Sequence, residues 1–170
     1  MMSSLLVLAL LAAQPAPAPP QHELSLYGRS GLTFFMSNAR TQGGLGGGFG
    51  VRDTLSGLWL LQADVQVLGG LGNVLELRAG AGVQRPGTWT PAVLLHATCL
   101  LGDRLSFPTV EAPLAGSGPT LALGLTLAPL RFRHERMQVA LLQLSAGLGP
   151  ETSGSGMLFG LTLLEVASSF

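Results

Sequence analysis

The sequence contains no lysine, and all nine of its basic residues are arginine. Charged residues make up only 11% of the chain, whereas soluble globular domains carry roughly 25%. Nine acidic residues bring the net charge to zero, so the electrostatic footprint of a nucleic-acid-binding protein is missing. A soluble fold with so few charges would have difficulty covering its surface, and this favours a chain that meets an apolar environment.

Cysteine is almost missing as well. Cys99 is the single cysteine, so the chain cannot form an internal disulfide. His22, His96 and His134 are dispersed, and together with one cysteine they give no metal-ligand spacing. We therefore predict neither a metal site nor a cofactor.

Long hydrophobic runs are missing too, because no stretch after the N-terminal region offers 18 uninterrupted apolar residues. The apolar run over residues 5–13 is too short for a spanning helix, which needs about 20 residues, but it has the length of a signal peptide. We predict that residues 1–20 form a cleaved signal peptide with a Pro/Ala-rich segment, and that residues 21–170 form one domain. A buried N-terminal helix is the alternative, because residues 1–4 contain no Arg or Lys.

The rest of the chain alternates between apolar and small or polar residues with period two, which is typical of β-strands with two different faces. Eight segments show the pattern: 23–36, 44–51, 59–67, 75–84, 91–101, 120–128, 138–148 and 157–170. Several reach the roughly 9–11 residues that a tilted membrane strand needs, and an even number suits single-chain bacterial barrels. We predict an all-β fold, an eight-stranded antiparallel up-and-down β-barrel of outer-membrane type.

Alternation alone allows two opposite barrels. A soluble lipocalin-like binding barrel in the periplasm would turn the apolar face inward, and a membrane barrel would turn it outward. The second face consists of Gly, Ala, Gln and Thr, with a glycine at every second position from Gly44 to Gly50. Small residues suit the lining of a narrow barrel, with Tyr27, Leu94 and Leu141 filling the space. We therefore place the Leu/Val face outside.

The last strand ends in Phe170, with Thr162, Leu164, Val166 and Ser168 at the alternate positions before it. In this feature the chain resembles small outer-membrane β-barrel proteins of Gram-negative bacteria, although Ser168 departs from their usual apolar residue. The resemblance implies a bacterial outer-membrane location in contact with lipids. It also implies that Leu164, Val166 and Phe170 form a signal for the barrel assembly machinery.

Several polar side chains are predicted to line the barrel interior: Gln62, Asp64, Gln66, Glu76, Arg78, Gln84 and His96. Enclosed charges have to be paired or hydrated, because isolated burial is costly. The favoured interpretation is an ion-pair and hydrogen-bond network that plugs the lumen. A proton- or ion-conducting path is the alternative.

No catalytic residues are predicted. His96 would be the candidate base of a lipid-modifying membrane enzyme, but it falls in mid-strand on the predicted inner face, with Thr98 as its nearest hydroxyl. The glycine run from Gly43 to Gly50 lacks the spacing of a nucleotide-binding loop and is interpreted as a strand.

The function that these features favour is structural or interactive, in the cell envelope, with a transport or ligand-binding barrel as the alternative. Residues 102–118 and 129–136 are the predicted contacts for envelope proteins. Trp59 and Trp89 lie near predicted strand starts, where an interfacial aromatic girdle would place them.

Overall fold

The computed structural model describes residues 22–106, 114–151 and 154–170, and this part of the chain is almost entirely β-strand. The ten strands are β1 (His22–Met36), β2 (Arg40–Leu55), β3 (Trp59–Gly70), β4 (Val74–Gln84), β5 (Ala92–Ser106), β6 (Leu114–Ser117), β7 (Thr120–Ala128), β8 (Leu130–His134), β9 (Met137–Glu151) and β10 (Gly154–Ser169). None of the described residues belongs to a helix long and apolar enough to cross a membrane. The predicted signal peptide, residues 1–20, lies outside the described residues.

Strands β6, β7 and β8 together occupy one position in the sheet. Strand β7 pairs with β5 and β9, while β6 extends the contact with β5 and β8 extends the contact with β9. Pro119 and Pro129 fall in the gaps between them, where a residue without an N–H group interrupts the ladder. Counted once, this stretch gives eight antiparallel positions, and β10 closes the barrel by pairing with both β9 and β1. The predicted eight-stranded antiparallel barrel is confirmed.

The barrel has two distinct ends. Both termini of the described barrel lie at one of them, which we call the terminal end, together with the connections at 56–58, 85–91 and 135–136. The connections at 37–39 and 71–73 lie at the opposite, distal end. Part of the predicted 102–118 loop there is strand, because Asp103–Ser106 pairs with β6, and residues 107–113 lie outside the described residues.

The apolar face of the strands is on the outside of the barrel. Leu95, Leu123 and Phe49 are 65%, 67% and 70% exposed, and the polar side chains on alternate positions are buried. A soluble lipocalin-like barrel would have the reverse arrangement, so the structure contradicts that alternative.

Glycines on β2 face the interior, as the alternation predicts. A Cβ added at Gly50 would lie 2.5 Å from Cζ of Tyr27, and this glycine therefore makes room for the tyrosine ring. At Gly46 and Gly48 an added Cβ would overlap the carbonyl oxygens of Val67 and Val65 on β3. Here the small residues serve the close approach of a neighbouring backbone rather than the packing of larger side chains.

Strands β9 and β10 depart from simple alternation. Leu141 and Leu142 are adjacent yet both exposed, at 43% and 45%, and so are Leu163 and Leu164 on β10, at 49% and 43%. The left-handed backbone at Leu142 (φ 54°) marks an extra residue, which turns the following side chains to the opposite face. The prediction that Leu141 fills the lumen is therefore wrong. Thr162 likewise faces inward and does not share the outer face with Leu164.

Candidate functional site

The interior of the barrel holds most of the polar chemistry that the structure describes. Apart from Arg40 at the distal end, the buried charged side chains lie at inward positions on six strands: Arg29, Arg52, Asp64, Glu76, Arg78, Arg131 and Glu165. Four arginines thus face three carboxylates in this core. Because each charge has left bulk water, its cost is offset only where the geometry supplies a partner.

Asp64 is the centre of a first cluster. The Tyr27 hydroxyl donates to its Oδ2 at 2.8 Å, and Nη1 of Arg29 donates to its Oδ1 at 2.9 Å. Tyr27 and Arg29 occupy successive inward positions of β1, and Asp64 projects from β3. Both oxygens of the carboxylate are therefore paired with side chains of β1, which lies on the far side of β2 in the sheet.

Glu76 and Arg78 form a second pair beside this cluster. They occupy successive inward positions of β4, and Nη2 of Arg78 donates to Oε1 of Glu76 at 2.5 Å. Opposite Glu76 on β3, Gln66 is 1% exposed, and neither of its amide atoms has a partner among the described residues. Oε2 of Glu76 and Nε of Arg78 lack described partners as well. Polar atoms in this part of the core are thus incompletely satisfied by protein groups.

Glu165 is the centre of a third cluster, which sequence analysis missed. Its Oε1 accepts from Nη2 of Arg52 at 2.6 Å, and its Oε2 accepts from Nε2 of Gln143 at 2.9 Å. Arg131 lies 4.0 Å from Oε1 and donates to the amide oxygen of Gln138 at 2.8 Å. One carboxylate therefore faces two buried guanidinium groups.

Tyr27 connects these clusters. Its hydroxyl is bound to Asp64, while Cζ of Arg52 lies 4.5 Å from the centre of its ring, a cation–π contact. A single aromatic side chain thus couples the carboxylate on β3 to the arginine that holds Glu165.

The remaining predicted lining residues are placed at different levels. Gln62 is half-buried and accepts from Arg52 at 3.2 Å. Gln84 is buried near the terminal end, away from the clusters, where it donates to the Gly57 carbonyl at 3.3 Å. His96 is 2% exposed, and its Nδ1 lies 3.1 Å from the hydroxyl of Thr126, not that of Thr98. No group of three potential metal ligands occurs within the described ranges.

An apolar layer crosses the lumen on the distal side of the polar core. Phe35, Leu68, Val74, Leu100, Ala122 and Leu158 form one buried cluster, contributed by six of the eight strand positions. The Phe35 ring also covers Gly149 on β9, where an added Cβ would lie 2.9 Å from Cε2 of the ring. Two buried polar side chains lie at the same level, Gln42 opposite Phe35 and Thr120 opposite Leu100. Thr120 donates to the amide oxygen of Gln42 at 2.6 Å, and Nε2 of Gln42 donates to the Gly102 carbonyl at 3.2 Å, so these polar groups are bonded within the layer.

The terminal end is closed by a mixture of apolar and charged groups. Leu60, Ala92, Leu94 and Ala128 form a smaller buried cluster there. Both Nη atoms of Arg133 donate to the carboxylate of Glu23, a bidentate ion pair across the mouth. The predicted 129–136 turn is therefore partly strand β8, and Arg133 belongs to the mouth of the barrel.

The outer residues singled out from the sequence lie on the exterior. Leu164, Val166 and Phe170 are 43%, 38% and 69% exposed, and Phe170 lies beside β1, where its N–H donates to the Leu24 carbonyl at 3.1 Å. Trp59 and Trp89 are 56% and 46% exposed at the terminal end. Assembly and interface roles for these residues remain predictions.

Neither a protein-family model nor a curated protein matches this sequence. Solved structures do match its fold. Neisserial surface protein A (NspA) superposes with a TM-score of 0.55 at 9% identity, covering 89% of this chain and 98% of that one. Ail, the attachment invasion locus protein of Yersinia pestis, solved in complex with the heparin analogue sucrose octasulfate, superposes with a TM-score of 0.54 at 13% identity, covering 89% of this chain and all of that one (100%). At this level of identity the shared property is the fold, an eight-stranded β-barrel of bacterial outer-membrane type.

Proposed function

We propose that this protein is an outer-membrane barrel with a closed lumen, which serves a structural or interaction role in the cell envelope. The observation that carries the proposal is the apolar layer around Phe35, which crosses the lumen beside a polar core of paired charges. A barrel of eight strands is just wide enough for its side chains to fill it. The side chains inside the lumen thus stabilise the β-barrel, and the surfaces at its two ends make the contacts with envelope partners.

The membrane location is supported by the distribution of polarity. Leucine, valine and phenylalanine side chains cover the exterior, whereas the charged side chains of the central strand segments point inward. The eight strand positions include segments of 11–16 residues, which meet the roughly 9–11 that a tilted spanning strand needs.

Fractionation and gel migration test this location. We expect the protein in the outer-membrane fraction, with a shift in migration between unheated and boiled samples, because a closed hydrogen-bonded barrel stays folded in detergent. A soluble periplasmic protein with identical migration in both samples would contradict the proposal.

The interaction role is assigned to the ends of the barrel. The described parts of the 102–118 segment, residues 102–106 and 114–118, lie at the distal end, and residues 129–136 lie at the terminal end. The two segments would therefore meet partners on opposite sides of the membrane. The neighbouring structures are named as a surface protein and an attachment protein, which is consistent with contacts made by exposed ends.

Photo-crosslinking tests the assignment. A photoreactive residue at Asp103 or at His134 should give crosslinks to envelope proteins, whereas the same residue at Leu123, in the middle of the apolar exterior, should give few. Equal protein crosslinking from all three positions would contradict contacts at the ends.

The transport and enzyme alternatives lose support for different reasons. A conducting path would have to cross the Phe35 layer, where the six apolar side chains are packed together and the polar side chains at the same level, Gln42 and Thr120, are bonded to each other. A lipid-modifying histidine would have to reach the outer surface, but His96 is buried inside the barrel beside Thr126.

A further inference from the structure

The exterior of the barrel carries a groove whose terminal end differs from the rest of the apolar surface. The groove has a volume of about 510 Å³ and is lined on the outside by Leu58, Val83, Val93, Leu127 and Leu144, with Pro91, Pro129 and Arg85 at the terminal end. Its size falls within the range of about 300–1,000 Å³ that is typical of ligand sites.

Arg85 is the feature that distinguishes this groove. Its Cζ lies 5.3 Å from the centre of the Trp89 ring, and Nε1 of Trp89 donates to the Pro129 carbonyl at 2.8 Å. The hydrogen bond fixes the indole, and the indole in turn supports the guanidinium group. Arg85 forms no ion pair with any residue in the described ranges. A supported cation without a carboxylate partner thus lies at the end of an apolar groove.

Two other exterior grooves provide a comparison. One lies over Ala79, Ala97 and Cys99, and the other lies over Ala146 and Gly160. Their outward-facing side chains are apolar, and the arginine at the edge of the first, Arg78, points into the barrel, where it is 4% exposed. Ordinary contact with lipid acyl chains explains the apolar lining of these two grooves. The groove at Arg85 differs, because it combines an apolar surface that can hold an acyl chain with a charged side chain.

We propose that Arg85, Trp89 and the groove beside them bind an anionic phospholipid, with the acyl chain in the groove and the phosphate on the Arg85 guanidinium. This inference rests on the proposed outer-membrane location. Guanidinium groups recognise phosphate oxygens through several N–H donors, and tryptophan is enriched at the level of lipid head groups. Both side chains stand on the terminal side of the barrel, so the lipid belongs to the leaflet on that side.

The experiment measures quenching of Trp89 by brominated lipids. The chain has two tryptophans, so Trp59→Phe leaves Trp89 as the only indole. The barrel is refolded into vesicles that contain equal mole fractions of brominated phosphatidylglycerol or brominated phosphatidylcholine. One surface arginine favours anionic lipid by about 1 kcal/mol, so we expect about a fivefold preference for phosphatidylglycerol at Trp89.

Variants then assign the preference to the groove. Arg85→Gln should reduce it to about equal binding of the two lipids, and Arg85→Lys should restore part of it, since charge is kept and the planar stacking is lost. Arg136→Gln is the matched control, because Arg136 is an exposed arginine at the same end outside the groove, and it should leave the preference unchanged.

Four results would overturn the proposal. Equal quenching by both lipids in the inserted protein, or a preference that survives Arg85→Gln, would refute the phospholipid site alone. Quenching by neither lipid would show that protein, such as a second copy, covers the groove. A chain that does not enter vesicles would refute the outer-membrane proposal together with this site.

Discussion

Two carboxylates inside the barrel, Glu165 and Glu76, are buried to a similar degree but are satisfied to a different degree. Both oxygens of Glu165 accept from side chains on other strands, whereas Oε2 of Glu76 has no partner among the described residues. Gln143 beside Glu165 is bound, and Gln66 beside Glu76 is not. The two carboxylates therefore differ in the hydrogen bonds that protein groups supply: both oxygens of Glu165 are bonded by side chains of other strands, whereas Glu76 is bonded by Arg78 of its own strand.

The largest effect is expected from removing the Glu165 carboxylate. Glu165→Ala leaves Arg52 and Arg131 buried without their shared acid, and the free energy of unfolding should fall by about 3–5 kcal/mol. Urea unfolding in lipid vesicles, followed by tryptophan fluorescence, measures it. Adding Arg131→Met should recover part of the loss, because one uncompensated cation is removed. A loss below about 1 kcal/mol would show that the cluster contributes little to the barrel, against its buried pairing.

An intermediate effect is expected from Tyr27, which joins the clusters. Tyr27→Phe removes the hydroxyl that donates to Asp64 and keeps the ring against Arg52, and it should cost about 1.5–3 kcal/mol. Tyr27→Leu should cost more, because it also removes the cation–π contact. Equal unfolding curves for the two variants would refute the contribution of the ring.

The sharpest comparison uses the two glutamines. Gln143→Leu leaves Oε2 of Glu165 without a donor and should lower the free energy of unfolding by about 1–3 kcal/mol. Gln66→Leu removes an amide without described partners and should change it by less than about 0.5 kcal/mol, or stabilise. The same urea measurement applies to both. Matching losses would remove the distinction between the two regions.

Much of the fold follows from the sequence because a β-strand places alternate residues on opposite faces. The inward position of Asp64, Gln66, Glu76, Arg78 and His96 required no knowledge of which strands are neighbours. Pairing does require it: Arg29 binds Asp64 from 35 residues away, although Arg78 stands directly opposite Asp64 on β4. The alternation predicts which face of the strand a charged side chain occupies, but it does not predict the side chain with which it forms an ion pair.

The Glu165 cluster escaped prediction for two physical reasons. The extra residues at Leu142 and near Leu163 change the face of the alternation within β9 and β10, so no single register fits either segment. Arg52 and Arg131 both fall outside the predicted strands, close to turn residues. In the structure, β2 continues to Leu55 and includes Arg52, and β8 begins after Pro129 and includes Arg131. Arg52 stands one residue and Arg131 three residues after a predicted strand end, and this closeness would have been the usable signal.

Conductance tests the closed lumen most directly. The wild-type barrel is first shown to be folded by its gel shift on heating and by its insertion into vesicles. We then expect no steady ion current in a planar bilayer, because an apolar layer crosses the lumen, formed by Phe35, Leu68, Val74, Leu100, Ala122 and Leu158. The double variant Phe35→Ala/Leu158→Ala, which removes two fully buried side chains of that layer, should conduct more than the wild type if it remains folded. A stable ohmic channel in the wild-type protein would contradict the account.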